Sequence, residues 1–236
     1  MLHSLKQLYG DRLGASDGEI GHVKDFYFND QKWVVRYVVV DTGSWLSGRL
    51  VLLSPHAFGS FHQDGDVLLV NLTRQQIENS PSIDSDKPVS RQYEEDYYRY
   101  YGWQPYWEEA DLWGASAFPM APPPQLAPSA PANLGNSPYS EDDPHLRSTQ
   151  AISGYHIQTS DGTIGHVTDF IIDDQNWTVC HIVVETGHWF SGKEIAISPE
   201  QIDHISYAES KVLVKLTKEA ILEKPEFHEP PIGAKI

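Results

Sequence analysis

Apolar and polar positions alternate over short runs along most of the chain, which is the pattern of half-buried β-strands. Residues 26–28 and 34–40 are rich in β-branched and aromatic side chains. Residues 170–172 and 179–184 repeat this pattern. Breaks such as Asp17-Gly18 separate the runs, and Asp-Gly readily adopts the positive φ of a type I′ hairpin turn. The pattern predicts about six short strands around each of these two regions.

The two regions belong to one internal repeat, because the chain matches itself at an offset of 144 residues. Asp-Gly-x-Ile-Gly-His-Val-x-Asp-Phe at 17–26 recurs at 161–170, and Thr-Gly-x-Trp-x-Ser-Gly at 42–48 recurs at 186–192. Over the gapless match of 4–81 with 148–225, 30 of 78 positions are identical. Two copies are too few for a solenoid, so we expect two small domains. Duplication also predicts packing of the copies about an approximate two-fold axis.

So many short strands in so few residues favour small closed or nearly closed barrels, since closure removes exposed sheet edges. Each copy also predicts a short C-terminal helix that begins at a threonine and ends at a proline. The predicted fold class is therefore all-β, with two small six-stranded barrels. The predicted segments are barrel 1 at 1–81, a connection at 82–147, barrel 2 at 148–225 and a tail at 226–236.

The connection has an unusual composition, with ten prolines and eleven acidic against four basic side chains. Between Tyr93 and Trp113 it carries six tyrosines and three tryptophans, and its spacing predicts a short helix at 91–101. A proline-rich spacer follows. So much aromatic surface indicates either packing on the barrels or binding of a partner. The candidate interaction residues here are Tyr93, Tyr97, Tyr101, Trp103 and Trp107.

Charge and hydropathy exclude several classes of function. The formal net charge is −16, which opposes binding to a nucleic-acid backbone or to an anionic membrane surface. No apolar run approaches the roughly 18 residues of a membrane-spanning helix, so no integral membrane segment is predicted. The N-terminus lacks the apolar stretch of a signal peptide, which predicts a cytoplasmic location. Cys180 is the single cysteine, so no intrachain disulfide can form.

His22 and His166 are the strongest candidates for chemistry, because both copies place a histidine after a glycine in a strand. One interpretation is a pair of histidines that binds a metal ion or moves protons. The other is a half-buried histidine in each copy, bonded to Asp25 or Asp169 or to a neighbouring strand. The chain has no His-x-x-His spacing around these positions, so they are weak metal candidates.

Motifs of catalysis and of cofactor binding are missing. The chain contains no Gly-x-Ser-x-Gly nucleophile motif and no GxGxxG phosphate loop. We therefore expect no enzymatic activity and no cofactor. Trp45 and Trp189 lie in glycine-bracketed loops, where a large aromatic side chain is either a lid on the core or an exposed anchor for a partner.

The repeated motif at 17–26 and 161–170, with Trp33 to Trp45 after the first copy, resembles the PRC-barrel family. This family includes the photosynthetic reaction centre H subunit and the C-terminal domain of the ribosome maturation factor RimM. The arrangement is most similar to bacterial proteins with two PRC-barrels and a Tyr/Trp-rich connection. The resemblance implies a six-stranded barrel in each copy and no reaction, since better-known members act in assembly or interaction.

Two functions remain open from the sequence. The first is a non-enzymatic interaction or scaffold protein of tandem barrels, with a protein partner. The alternative is a protein that binds a small ligand or a metal ion at a site between the barrels, where His22, His166 and the loop tryptophans converge.

Overall fold

The structure is a computed structural model and describes residues 1–63, 67–81, 89, 91–106, 145–187 and 192–228. The chain divides into two compact units. One combines Met1–Lys87 with His145–Ile236, and the other is Pro88–Pro144. Both sequence repeats therefore belong to the first unit.

Each repeat contributes seven described strands. In the first repeat they are β1 (Leu2–Ser4), β2 (Arg12–Ala15), β3 (Gly18–Asn29), β4 (Val34–Asp41), β5 (Leu50–Leu53), β6 (Phe58–Gln63) and β7 (Val67–Val70). In the second they are β8 (Leu146–Ser148), β9 (His156–Thr159), β10 (Gly162–Asp173), β11 (Thr178–Glu185), β12 (Glu194–Ile197), β13 (Ile202–Ser206) and β14 (Lys211–Val214). The helices are α1 (Leu5–Leu8), α2 (Arg74–Glu78), α3 (Arg91–Tyr101), α4 (Thr149–Ile152) and α5 (Lys218–Leu222).

The two repeats share one strand order. It is β5-β4-β3-β2-β7-β6 in the first repeat and β12-β11-β10-β9-β14-β13 in the second. Neighbours are antiparallel except β7 with β2 and β14 with β9, which are parallel. The predicted all-β fold class is confirmed, and the duplication seen in the sequence is a duplication of structure.

The core of each repeat is built from the apolar positions that the alternating pattern picks out. Val38 and Val40 on β4 are fully buried, and their equivalents Ile182 and Val184 on β11 are buried as well. Burying each such side chain contributes about 1.5–3 kcal/mol. Helix α2 is fixed beside this core by a capping box, in which Thr73 and Gln76 bond each other's backbone N–H.

A glycine allows the close approach of the longest strands to their neighbours. Gly21 on β3 and Gly165 on β10 have φ of +142° and +75°. A Cβ at Gly165 would overlap the carbonyl oxygen of Glu185 and lie 2.9 Å from the Cα of Thr186. The residue after each of these glycines is a histidine. The close approach of the strands therefore also fixes the backbone positions of His22 and His166.

Replacing Gly165 by alanine tests the close approach. We expect Gly165→Ala to lower the free energy of unfolding by about 3 kcal/mol or more, because it combines backbone strain with overlap. Gly154 is the matched control, since its φ is +90° and no atom lies within 4 Å of its Cβ position. Gly154→Ala should cost about 1 kcal/mol of strain alone. Urea unfolding measures both, and equal losses would contradict the overlap.

Candidate functional site

The seam between the two repeats is made by a reciprocal exchange of N-terminal strands. Strand β1 of the first repeat pairs with β10 of the second, from Leu2 opposite Asp173 to Ser4 opposite Ile171. Strand β8 of the second repeat pairs in the same way with β3 of the first, from Leu146 opposite Asn29 to Ser148 opposite Tyr27. The two pairings are equivalent under exchange of the repeats, as the predicted approximate two-fold packing requires.

A buried aspartate in each repeat binds the exchanged segment of the other. Asp25 accepts hydrogen bonds from Ser148 Oγ at 2.5 Å and from the backbone N–H of Gln150 at 3.1 Å. Asp169 accepts from Ser4 Oγ at 2.5 Å and from the backbone N–H of Lys6 at 2.9 Å. The two carboxyl groups are 8% and 5% exposed. Each thus satisfies the free N–H groups at the start of a helix donated by the other repeat.

The same serines also cap these helices. Ser148 Oγ accepts from the N–H of Ala151 at 3.0 Å, and Ser4 Oγ accepts from the N–H of Gln7 at 3.2 Å. A serine hydroxyl can donate one bond while it accepts another. Each serine therefore links its own helix to the aspartate of the opposite repeat.

Burial governs the ionisation of Asp25. Desolvation raises the pKa of its carboxyl above the ordinary value. Hydrogen bonds from Ser148, Gln150, Phe26 and Thr149 act in the opposite direction and do not overcome it. The hydrogen bonds to this carboxyl come from backbone N–H groups and from the hydroxyls of Ser148 and Thr149, so the group links the two repeats at the seam.

Aromatic residues contribute to the contact between the two repeats. The rings of Phe28 and Phe170 are 5.5 Å apart, centroid to centroid. The carbonyl of Trp33 accepts from the N–H of Val179 at 2.7 Å, and the carbonyl of Trp177 accepts from the N–H of Val35 at 2.8 Å. These paired bonds join β4 to β11, so the backbone hydrogen bonding runs through both repeats.

One end of the seam carries a charged cluster around Asp30. Its carboxylate lies 3.0 Å from His145 Nδ1 and 3.7 Å from Arg147 Nε, and it accepts a hydrogen bond from the Tyr207 hydroxyl. The guanidinium of Arg147 also lies over the Tyr207 ring, 3.8 Å from its centroid. The equivalent aspartate, Asp174, lies 3.1 Å from His3 Nε2. These groups connect the repeats and are engaged with one another.

His22 and His166 do not meet at the seam. His22 is exposed on β3, about 20 Å along the strand from Phe28, which contacts the second repeat. Of the alternatives for a half-buried histidine, a bond from His22 to Asp25 is not formed, because His22 is exposed and Asp25 is bonded to Ser148, Thr149 and Gln150 of the other repeat. His22 lies on the outward face, between Arg12 and Asp41 of the neighbouring strands.

His166 has a different set of neighbours. It is half-buried on β10, opposite His156 on β9 and Glu185 on β11. Across the described ranges, no three His, Cys, Asp or Glu side chains are grouped so as to hold a metal ion.

Trp45 lies half-buried in a loop that glycines shape. Gly43 and Gly48 have φ of +54° and +76°, and the guanidinium of Arg74 lies 4.5 Å from the centroid of the Trp45 ring. This cation–π contact attaches the loop to the start of α2. The equivalent Trp189 lies outside the described residues, as does Trp107.

The second unit contains the predicted helix, α3, and its aromatic side chains contact one another. Tyr97 is fully buried, with ring centroids 6.1 Å from Tyr93, 4.9 Å from Tyr101 and 6.1 Å from Trp103. The stacked rings of Tyr101 and Trp103 are 4.5 Å apart. These four residues therefore form one cluster, and their part in binding a partner stays a prediction.

A buried acid fixes the fold of this segment. Glu94 is fully buried, and its carboxylate accepts a hydrogen bond from the hydroxyl of Tyr106 at 3.1 Å. The backbone N–H of Trp103 bonds the carbonyl of Tyr98 at 3.0 Å and so ends the helix. The segment after α3 thus folds back along the helix.

Sequence reasoning predicted that the two copies pack together, but it missed the exchange of strands and the aspartate contacts at the seam, although the sequence carries a signal of them. Ser4 and Ser148 are identical across the repeat, as are Asp25 and Asp169. A polar pair kept in both copies, with no catalytic partner in sequence, is typical of a structural contact that is used twice.

A comparison with family models matches the PRC-barrel domain twice, at residues 5–77 and 150–221. The chain belongs to the PRC-barrel family. Both matches begin after the exchanged strands β1 and β8, so in this PRC-barrel protein the exchange lies just outside the matched domains. A search of curated proteins finds no significant match.

None of the helices in the described part of the chain is long and apolar enough to cross a membrane.

Removing the Asp25 carboxyl tests its role at the seam. Asp25→Ala removes the acceptor shared by the buried hydroxyl of Thr149 and the partly buried donors of Ser148 and Gln150, so we expect a loss of about 3 kcal/mol in the free energy of unfolding. The control is Asp203→Ala, since Asp203 is exposed and bonds only the exposed His204, at 2.9 Å. It should change stability by less than about 0.5 kcal/mol. Urea unfolding measures both variants.

The pH dependence of the free energy of unfolding gives a second test of Asp25. Because the pKa of Asp25 is raised in the folded state, the folded protein holds this proton more tightly than the unfolded chain. Its stabilising contribution is present below the unfolded pKa and is lost as pH rises through the folded pKa. Asp25→Ala should therefore remove this loss of stability with rising pH. If the free energy of unfolding of the variant depended on pH as steeply as that of the unaltered protein, the raised pKa would not belong to Asp25.

Cleavage between the repeats tests the exchange of strands. A specific protease site inserted at the proline-rich stretch 121–138 of the full chain allows the two repeats to be separated covalently. We expect the two products to co-elute in gel filtration without denaturant, because β1 and β8 each remain paired with the opposite repeat. Elution as two separate species would overturn the reciprocal pairing.

Proposed function

We propose that this PRC-barrel protein is a non-enzymatic interaction or scaffold module that presents two barrels as one body in the cytoplasm. The observation that carries the proposal is the reciprocal exchange of β1 and β8 at the seam. It fixes the barrels to each other through backbone pairing and two buried carboxyl groups. A fixed pair of barrels offers a partner two related surfaces at a constant spacing.

The ionisable groups inside the described structure support this function over catalysis. Asp25, Asp169 and Glu94 are buried, and each accepts hydrogen bonds from structural hydroxyl or backbone groups. A general acid or base needs access to the reacting group of a substrate. The hydrogen-bond donors of these carboxyl groups belong instead to the exchanged segments at the seam or to the segment that folds back along α3.

The Trp45 loop is the surface that best fits a partner. Trp45 presents a half-buried aromatic ring, and the guanidinium of Arg74 adds a cation over it. Tryptophan and arginine are the residue types enriched at interface hot spots. The first repeat is also the less acidic one, with seven basic and nine acidic side chains in residues 1–81. A protein with an acidic side chain beside an apolar patch is the complementary partner.

Site-specific crosslinking tests this surface. A photoreactive benzoylphenylalanine at Ser44, which is exposed beside Trp45, should form one dominant adduct in cell extract. The same group at exposed Glu209 of the second repeat is the control and should not form it. An excess of unlabelled protein should compete for the adduct. The double variant Trp45→Ala, Arg74→Gln should compete at least about tenfold less well, since a hot-spot residue contributes more than 1.4 kcal/mol.

Two outcomes would count against the proposal. Equal adducts from Ser44 and Glu209 would remove the Trp45 loop as the specific surface. Equal competition by the double variant would remove Trp45 and Arg74 as its anchors.

A further inference from the structure

A row of polar side chains crosses the second repeat on one register line. His156 on β9 lies opposite His166 on β10, and His166 lies opposite Glu185 on β11. The line continues to Glu194 on β12 and to Lys211 on β14. Residues on one register line of a sheet point to the same face, so these five side chains are neighbours.

That face is the outward one. The residues next to the row along each strand are buried: Ile157, Val167, Val184, Ile195 and Val212. Since successive side chains alternate between the faces of a sheet, the row itself faces away from the core. His156 is exposed, and His166, Glu185 and Glu194 are half-buried.

The spacing suits a shared ligand. Directly opposed residues on adjacent antiparallel strands have Cβ atoms about 4.5–5.5 Å apart. Two imidazoles and one carboxylate at that spacing can each place a donor atom about 2.0–2.2 Å from one ion. In the structure as described, no three such side chains converge on a point. Binding therefore requires rotation of side chains that lie at the surface.

Neighbouring charges leave the histidine pair available. The Lys211 ammonium is bonded to Glu209 Oε2 at 2.9 Å, which holds that cation at the far end of the row. Beyond Glu185 the row ends in a second carboxylate, that of Glu194. Its Oε1 accepts a hydrogen bond from Thr168 Oγ1 at 3.4 Å, which orients it. The row thus places two imidazole side chains beside two carboxylates.

The first repeat lacks this combination at the equivalent positions. There the row reads Val67, Arg12, His22, Asp41 and Leu50. Arg12 stands where the second repeat has His156, and its fixed positive charge opposes a cation. The feature is therefore a property of the second repeat and not of the shared barrel.

We propose that His156, His166 and Glu185 form a surface binding site for a borderline divalent transition-metal ion such as Zn²⁺. Imidazole nitrogen favours Zn²⁺ and its neighbours in the transition series over the hard ions Ca²⁺ and Mg²⁺, which take oxygen ligands. The site differs from the pair of His22 and His166 that was one interpretation of the sequence, because both histidines come from one repeat. It is independent of the proposed interaction function.

Isothermal titration of the metal-free full chain with Zn²⁺ tests the site. The unaltered protein should bind one ion that His156→Ala or His166→Ala weakens by more than the roughly 10–100-fold loss typical of an outer-shell change. Glu185→Gln should weaken it in the same direction. His22→Ala, the matched histidine of the first repeat, should leave the affinity unchanged, and Ca²⁺ should give no binding at this site.

Thermal unfolding gives a second measurement on the same variants. Zn²⁺ bound only to the folded state should raise the unfolding temperature of the unaltered protein and of His22→Ala, and not that of His156→Ala. Circular dichroism without metal should be the same for all variants, since the side chains are at the surface. Full binding by His156→Ala, or loss of binding in His22→Ala, would overturn the proposal, because the chain has 11 histidines that could bind elsewhere.

Discussion

The rest of the structure depends on one constraint, which is that each barrel's N-terminal strand and helix are held by the other barrel. A buried carboxylate is costly unless its hydrogen bonds are made, and Asp25 makes them only with groups from the second repeat and its own backbone. Asp169 has the same relation to the first repeat. Separation of the repeats would therefore expose two unpaired strands and remove the partners that each of the two acids has in the other repeat.

Duplication explains why this contact is made twice. In a homodimer with two-fold symmetry, a serine of one subunit would meet an aspartate of the other, and the same contact would recur across the axis. Here both halves of that relation lie in one chain. Trp33 and Trp177 are identical in the two repeats for the same reason. The carbonyl of Trp33 accepts a hydrogen bond from β11 and that of Trp177 accepts one from β4, and their φ angles are +55° and +58°.

The sequence predicted the strands and the repeat because burial leaves a regular trace. Runs such as Val38–Val40 are apolar in both copies, and Gly21 and Gly165 are needed wherever strands approach closely. The exchange left no such trace, since a three-residue strand such as Leu2–Ser4 is too short for a pattern, and its partner Ile171 lies far along the chain. A bond between His22 and Asp25 does not form because the exchanged segment of the second repeat supplies the donors of Asp25, and the sequence of the first repeat carries no sign of them.

The seam also determines where the two repeats are free to differ. Ser4 with Ser148 and Asp25 with Asp169 are identical, because each pair makes the same contact across the seam. Other buried positions differ, such as Leu5 against Thr149. Outward positions differ as well: Arg12 against His156, and Leu50 against Glu194. A specific property of this chain is thus to be sought in residues that break the repeat, whereas residues that obey it mainly hold the barrels together.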